Sequence, residues 1–486
     1  MALGDRFRLR SSAVSAVALA AVMLAPCLAA RPASAENLMD ALAQAYHYNP
    51  RLDAERAALR ATDEDVSRAN AGYRPDINAT ADVGKQWTRT RPDFGSSGTT
   101  TPRGYAVQLV QPLFRGFRVT NAVNSAEASV RAGRETLRDV EQQVLLDTVT
   151  AYGNVVRDQS IVRLRENNLE FLSRELKATQ DRFAVGEVTK TDVAQAQARR
   201  ALALSELDLA KANLKSSRAL YEQVVGNPPR NLKEANGNSK LLPKSLDEAI
   251  GIGTKENPQV VAALYREQGA RYDVETVRGE LLPEAQLEAT YQDRFETSQN
   301  VDEVQSGTLI GRLNVPIYAN GGEVHARVRK AKHIHLARIQ EIEQARAVAQ
   351  SQVAQSWSQL VGFRAQMQSD KAQIEANQTA LNGVREEEKV GQRTLLDVLN
   401  AQQELLNSQV QLEITKRNVL VAAYTVISSV GRLSIAEVGA SSVVYDPEAH
   451  YDEVRRKWWG IDITHDDGRR EHIDAWQGDV KHESIK

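Results

Sequence analysis

Two stretches of about seventy residues, Gly116 to Val185 and Gly322 to Val390, contain no proline and are rich in Ala, Gln, Glu, Arg and Leu. As α-helix each would run ~100 Å, more than three times the hydrocarbon thickness of a bilayer. No compact domain holds such a rod, so the fold must be organised around rods and their neighbours. Each stretch ends at a glycine, Gly186 or Gly391, and Thr189-x-x-Asp192 or Thr394-x-x-Asp397 then starts a returning helix as a capping box. In the returning segments Val398, Leu405, Leu412 and Val419 fall seven apart, as do Val193, Leu207 and Leu214 with Arg200 interrupting. Those heptads are seams packed against the outgoing rod, with no cofactor implied.

The rods belong to a duplication. Leu38-x-x-Ala41 and Asn49-Pro50 recur as Leu246-x-x-Ala249 and Asn257-Pro258, and Pro75 answers to Pro283. Gln111-Pro112-Leu113-Phe114 answers to Val315-Pro316-Ile317-Tyr318, and the segment from Val185 to Val193 answers to that from Val390 to Val398. A tandem repeat with small indels in its loops explains this offset. The chain divides into an export signal (1–35), a first repeat (36–230), a linker (231–244), a second repeat (245–433) and a charged tail (434–486).

Each repeat reads as a helix, two strands and a long helical hairpin. The first helix is expected from about Asn37 to Ala71, with its counterpart from about Ser245 to Gly279. The period then changes to two: Ala285, Leu287, Ala289, Tyr291 and Phe295 alternate with polar residues, as do Ile77, Ala79, Ala81 and Val83. A Gly/Ser/Thr loop from Phe94 to Gly104 leads to a second strand, Tyr105 to Phe114, whose partner is expected at about Thr308 to Ile317.

Arg6, Arg8 and Arg10, an apolar run from Ala13 to Leu24 and Ala33-Ser34-Ala35 make a cleavable export signal, so the mature chain would begin at Glu36. The sole cysteine, Cys27, leaves with it; lipidation at Cys27 is the alternative, with Pro26 departing from the usual lipobox. Lys and Arg number 61 against 63 Asp and Glu, a balance without the positive excess that nucleic-acid binding requires. Beyond the signal no apolar run is long enough for a helical membrane span. Two strands per repeat give four per chain, and a four-stranded sheet with one apolar face and open edges must close with other copies. Three chains would make a barrel of twelve short antiparallel strands, continued below by a hollow cylinder of helices.

With these features, Val185-Gly186-Glu187-Val188-Thr189-Lys190-Thr191-Asp192-Val193-Ala194-Gln195-Ala196 and Gly391-Gln392-Arg393-Thr394-Leu395-Leu396-Asp397-Val398-Leu399 make the chain resemble the TolC family of outer-membrane ducts, over about Asn37 to Leu433. The closing segment from Tyr445 to Trp458-Trp459-Gly460 resembles an alphaproteobacterial branch. The resemblance implies a mainly α fold with membrane β: a homotrimeric twelve-stranded barrel on an α-helical tunnel, in the outer membrane with its tunnel in the periplasm. It implies work with a periplasmic adaptor and an inner-membrane efflux or ABC transporter, exporting drugs or, in type I secretion, proteins. It further implies a gate at the periplasmic tips, with Asp397 as a ring of three carboxylates, Arg393 as a link between protomers and Asp192 as its acceptor. Three carboxylates around one narrow bore would attract cations and favour protonation at low pH. The alternative reading is that Asp192 and Asp397 only cap helices. Asn400 stands where the best-known pattern has a second Asp, and the turn has no tyrosine. Gly186 and Gly391 would be the turns that adaptor hairpins grip.

No phosphate-binding loop, nucleophile elbow or paired Cys/His motif is present, so an enzyme is not expected. His325, His333 and His335 invite a metal reading, but His333 and His335 are two apart on a helix and point in different directions; His465, Asp466, Asp467 and His472 in the tail are the other candidate group, and no cofactor or metal is expected. A periplasmic coiled-coil adaptor is the competing reading; it would carry one hairpin in a compact β-rich module rather than a duplicated unit.

Overall fold

The computed structural model describes residues 36–92, 97–235, 240–441, 443–464 and 470–471. The export signal with Cys27, Phe94 in the strand-connecting loop, and His465, Asp466, Asp467 and His472 lie outside the described residues.

The first repeat comprises α1 (Leu38–Tyr48), α2 (Pro50–Asn70), β1 (Asp76–Val83), β2 (Gln86–Thr88), β3 (Gly98–Thr100), β4 (Arg103–Arg115), α3 (Arg118–Ala184) and α4 (Lys190–Val225). The second comprises α5 (Leu246–Glu256), α6 (Pro258–Arg278), β5 (Glu284–Ser298), β6 (Val301–Asn314), α7 (Glu323–Lys389) and α8 (Leu395–Ser429). The tail adds α9 (Ile435–Val438), α10 (Ala449–Val454), β7 (Ile463–Thr464) and β8 (Arg470–Glu471). The rods α3 and α7 are 67 residues each, ~100 Å long.

The expected single first helix is two helices in each repeat. Asn49 and Asn257 are extended and cap the proline-started α2 and α6, accepting from the Arg51 and Gln259 amides at 3.0 Å. Each also donates to the end of a returning helix: Asn49 Nδ2 to the Val224 carbonyl at 2.9 Å, and Asn257 Nδ2 to the Ser429 carbonyl at 3.0 Å. One side chain thus satisfies the free amide of one helix start and a free carbonyl of another helix end. The recurring Asn-Pro joins α4 to α2 and α8 to α6, so each rod is flanked along its length by two shorter helices placed end to end.

The four long strands form one antiparallel sheet in the order β1-β4-β5-β6, apart from the two-stranded ladders β2-β3 and β7-β8. β4 and β5 pair the two repeats, with Leu109 opposite Ala289 and Val107 opposite Tyr291. The pairing sorts the faces. Ile77, Leu109, Ala289 and Leu309 align across one face, whereas Asn78, Gln108, Thr290 and Thr308 align across the other. The apolar face is bare, with Leu309 70% and Leu313 67% exposed. The polar face carries the bidentate Arg312–Glu288 pair, both bonds 2.9 Å, and the Arg294–Asp82 pair at 3.0 Å. β6 starts earlier than expected and ends before Pro316, which cannot donate to a ladder. The loop after β1 is not wholly irregular, since β2 pairs with β3. Among the described residues no helix is long and apolar enough to cross a membrane; the bare sheet face is the surface suited to lipid.

The largest apolar core lies midway down the rods, where Leu42, Leu145, Tyr152, Tyr221, Tyr424 and Ile427 are buried together. Glu36 enters it: Tyr221 donates its hydroxyl to the Glu36 carboxylate at 2.9 Å, and Tyr152 donates to the Lys233 carbonyl at 2.6 Å. Burial first, and for Tyr221 also the adjacent carboxylate, holds both hydroxyls protonated far above the usual tyrosine range, Tyr152 up to about 12. Tyr221→Phe removes one of two donors to a buried carboxylate, leaving the Arg230 amide at 3.2 Å, and is expected to cost ~1–3 kcal/mol. Thermal denaturation followed by circular dichroism should show the loss, and an unchanged midpoint would contradict it.

Candidate functional site

The two hairpin tips are built alike. α3 ends in a Schellman turn: Gly186 has φ +84°, its amide donates to the Phe183 carbonyl and the Glu187 amide to the Arg182 carbonyl, both at 3.0 Å. In α7, Gly391 has φ +77°, with its amide on Glu388 O and the Gln392 amide on Glu387 O, both at 2.9 Å. No atom would lie within 4 Å of a Cβ at either glycine, so backbone conformation alone selects them.

Both expected acids close capping boxes. The Asp192 carboxylate accepts from the Thr189 amide at 2.8 Å and hydroxyl at 2.7 Å; Asp397 accepts from the Thr394 amide at 3.0 Å and hydroxyl at 2.8 Å. These bonds hold both carboxyls below the usual Asp range: the Thr189 hydroxyl and amide at Asp192, and the Thr394 amide, then its hydroxyl, then Arg393, at Asp397. Within one protomer this opposes the low-pH protonation expected of a carboxylate ring. Arg393 and Asp192 are not brought together inside the chain. Arg393 donates to Glu387 at 2.9 Å, on its own turn.

Sequence reasoning missed the contacts that tie the two hairpins to each other. Arg182 near the end of α3 pairs with Glu388 near the end of α7 at 2.7 Å. Arg199 of α4 donates to the Asn400 side-chain carbonyl of α8 at 2.6 Å. Beside the Arg199–Asn400 link Leu399 packs with Leu172 and Ala203, and the Arg385 guanidinium lies 4.8 Å from the Phe171 ring centre. The available signal was the repeat itself: the partners stand 206 and 201 residues apart, close to the duplication offset, so complementary groups at near-equivalent positions meet where the hairpins run side by side. Asn400 supplies a neutral acceptor to Arg199, a task that does not need a carboxylate.

The three histidines of α7 are not gathered. His335 Nε2 lies 2.6 Å from Glu267 Oε1, and among the described residues no cluster of three or more His, Cys, Asp or Glu could hold a metal ion.

A bare-faced membrane sheet continuous with 100 Å helical hairpins that end in linked tips defines one protomer of an outer-membrane channel-tunnel. The chain belongs to the outer membrane efflux protein family, which it matches over residues 41–227 and 253–432. It is 37% identical over 448 residues to the outer membrane efflux protein BepC of Brucella suis, covering 92% of this chain and 96% of that one. It is 25% identical over 415 residues to the outer membrane protein TolC of Escherichia coli K12, covering 82% and 83%. Its fold superposes on the Campylobacter jejuni CmeC outer membrane channel with a TM-score of 0.73 at 16% identity, covering 87% and 89%.

The protein is thus an efflux channel of the outer membrane with its helical tunnel in the periplasm, and not an enzyme. It is the outer component of tripartite efflux or secretion systems, in a family whose members form trimers working with adaptors and inner-membrane transporters.

Proposed function

We propose that three copies of this chain close one duct, β6 of each pairing with β1 of the next, and that the tips at residues 182–192 and 387–400 form its periplasmic gate. The single observation that carries this reading is the pair of inter-hairpin bonds, Arg182–Glu388 and Arg199–Asn400, at the end of the tunnel farthest from the sheet. Exposed bonds of this kind contribute ~0–1 kcal/mol each, enough to bias a closed state without locking it. Opening then needs a partner that binds the parted tips better than the joined ones. A periplasmic adaptor gripping the Gly186 and Gly391 turns would do this, handing on small-molecule drugs or polypeptides from an inner-membrane efflux or ABC transporter. Residues 1–35 would serve as the cleaved export signal.

In this gate Asp397 faces the bore as a ring of three carboxylates while it caps α8, so the two roles coexist. Arg393 and Asp192 lie where neighbouring protomers meet. Asp397→Asn is expected to reduce cation preference and block by hexamminecobalt in planar bilayers, and Arg393→Ser to raise conductance. A mutant blocked as tightly as wild type removes Asp397 from the bore, and unchanged conductance and antibiotic leak remove Arg393 from the gate. The pH dependence has a definite sign. A depressed Asp pKa in the folded chain adds stability above the unfolded value of ~3.9, and that stability is lost as pH falls through the folded value. Tip capping and cation preference should therefore persist down to about pH 4.

A further inference from the structure

The tail is a built feature that the repeat does not explain. From α9 it crosses to α2 and climbs it toward the sheet. His450 Nδ1 meets the buried Asp63 carboxylate at 3.1 Å, Ser67 donates to the Lys457 carbonyl at 3.3 Å, and Arg74 donates to the Trp458 carbonyl at 3.4 Å. On its other side Glu448 pairs with Arg134 at 2.7 Å, and Arg455 with Glu127 at 3.1 Å. A segment lying in the bore would obstruct an efflux channel, so the climb takes place on the outer wall.

Before turning back so that Thr464 meets Glu453, it reaches at Lys457 and Trp458 the helix-to-strand junction, the level at which the duct enters the membrane. There the Arg74 guanidinium stacks over the Trp458 ring at 5.1 Å. An open cleft of about 480 Å³ is lined by Asn70, Tyr73, Arg74, Gln111, Arg456 and Trp458. Trp458 is 68% and Trp459 90% exposed. Two large aromatic rings held bare to water by a docked, hydrogen-bonded segment are unfavourable in water and well placed at a lipid interface, where an indole buries its ring and keeps its N–H wet. Arg74 and Arg456 face the same cleft, and a guanidinium matches phosphate oxygens bidentately.

We propose that this cleft binds the headgroup phosphate of a phospholipid of the periplasmic leaflet, with Trp459 among its upper acyl carbons, so that the docked tail anchors the tunnel to the membrane from outside. The cleft is lined by Arg74, Arg455 and Arg456 and by no carboxylate, and Arg455 is engaged by Glu127, so the site is net positive.

The test is native mass spectrometry of the full-chain trimer released from detergent with added phosphatidylglycerol. Wild type should retain the lipid, and Arg74→Gln with Arg456→Gln should bind it about tenfold more weakly while remaining trimeric. Equal retention overturns the proposal. Displacement of the lipid by excess inorganic phosphate also overturns it, in favour of a free-anion site. Independently, in a Trp87→Phe background in nanodiscs containing lipid brominated near the headgroup, Trp458→Phe with Trp459→Phe should remove most of the tryptophan quenching. Quenching in that background that is unchanged by the double substitution places these rings away from lipid and refutes the anchor.

Discussion

A chain carrying Arg182→Ser together with Arg199→Ser is expected to form channels that open far more often than wild type in planar bilayers, and cells bearing it should become sensitive to large antibiotics normally kept out. The two substitutions delete the two links nearest the tips, Arg182–Glu388 and Arg199–Asn400, and leave intact each hairpin's own turn and the Gln402–Asn168 and Arg417–Asn154 bonds farther up the hairpins. At ~0.5–1 kcal/mol per bond, the upper half of the range for exposed pairs, and two bonds in each of three protomers, concerted opening becomes easier by on the order of 3–6 kcal/mol. Since ~1.4 kcal/mol is tenfold, the open fraction should rise by two orders of magnitude or more until it saturates. Each single variant should lie between. Wild-type conductance and antibiotic exclusion in the double variant would show that the tips are held by something other than these bonds.

The second large effect is expected where barrel meets tunnel. Gly116 joins β4 to α3 with φ +58°, and Gly279 lies just past α6 before the chain enters β5. The two backbones touch: a Cβ on Gly116 would collide with the Gly279 carbonyl and come 2.9 Å from Leu282 Cβ. Gly116→Ala therefore combines a left-handed backbone penalty of ~1–2 kcal/mol with overpacking of ~1–3 kcal/mol against atoms that cannot swing away. With three such junctions per trimer, heat-resistant trimers on denaturing gels should largely disappear. Gly186→Ala is the control. It shares the positive φ but has open space around it, so it should cost only the backbone penalty of ~1–2 kcal/mol and leave the trimer intact. Equal behaviour of the two variants would mean that the glycine–glycine contact does not hold the junction.

What could be read from the sequence was whatever depends on near neighbours. The rods, the glycine turns and the Thr189–Asp192 and Thr394–Asp397 boxes are fixed by residues within a few positions, and all are found where the periodicity put them. The alternation at Ala285 to Phe295 likewise gave a strand with one apolar face. The Asn-Pro repeat was visible as a motif, but its action was not. Asn49 works through a carbonyl 175 residues away, so the sequence suggested one helix where an end-to-end joint was needed. The same limit hid the tip links, whose partners are separated by a whole repeat. The tail was legible only as charged and unrepeated, because what orders it is Asp63, Glu127 and Arg134 on other helices.

The most direct test of the duct is electron microscopy of the mature full chain purified in mild detergent. Helices of ~100 Å below a tilted barrel of ~30–40 Å require hollow, three-fold particles about 130–150 Å long. Single-chain particles, or solid rods stable without detergent, would contradict the closure of three sheets into one barrel.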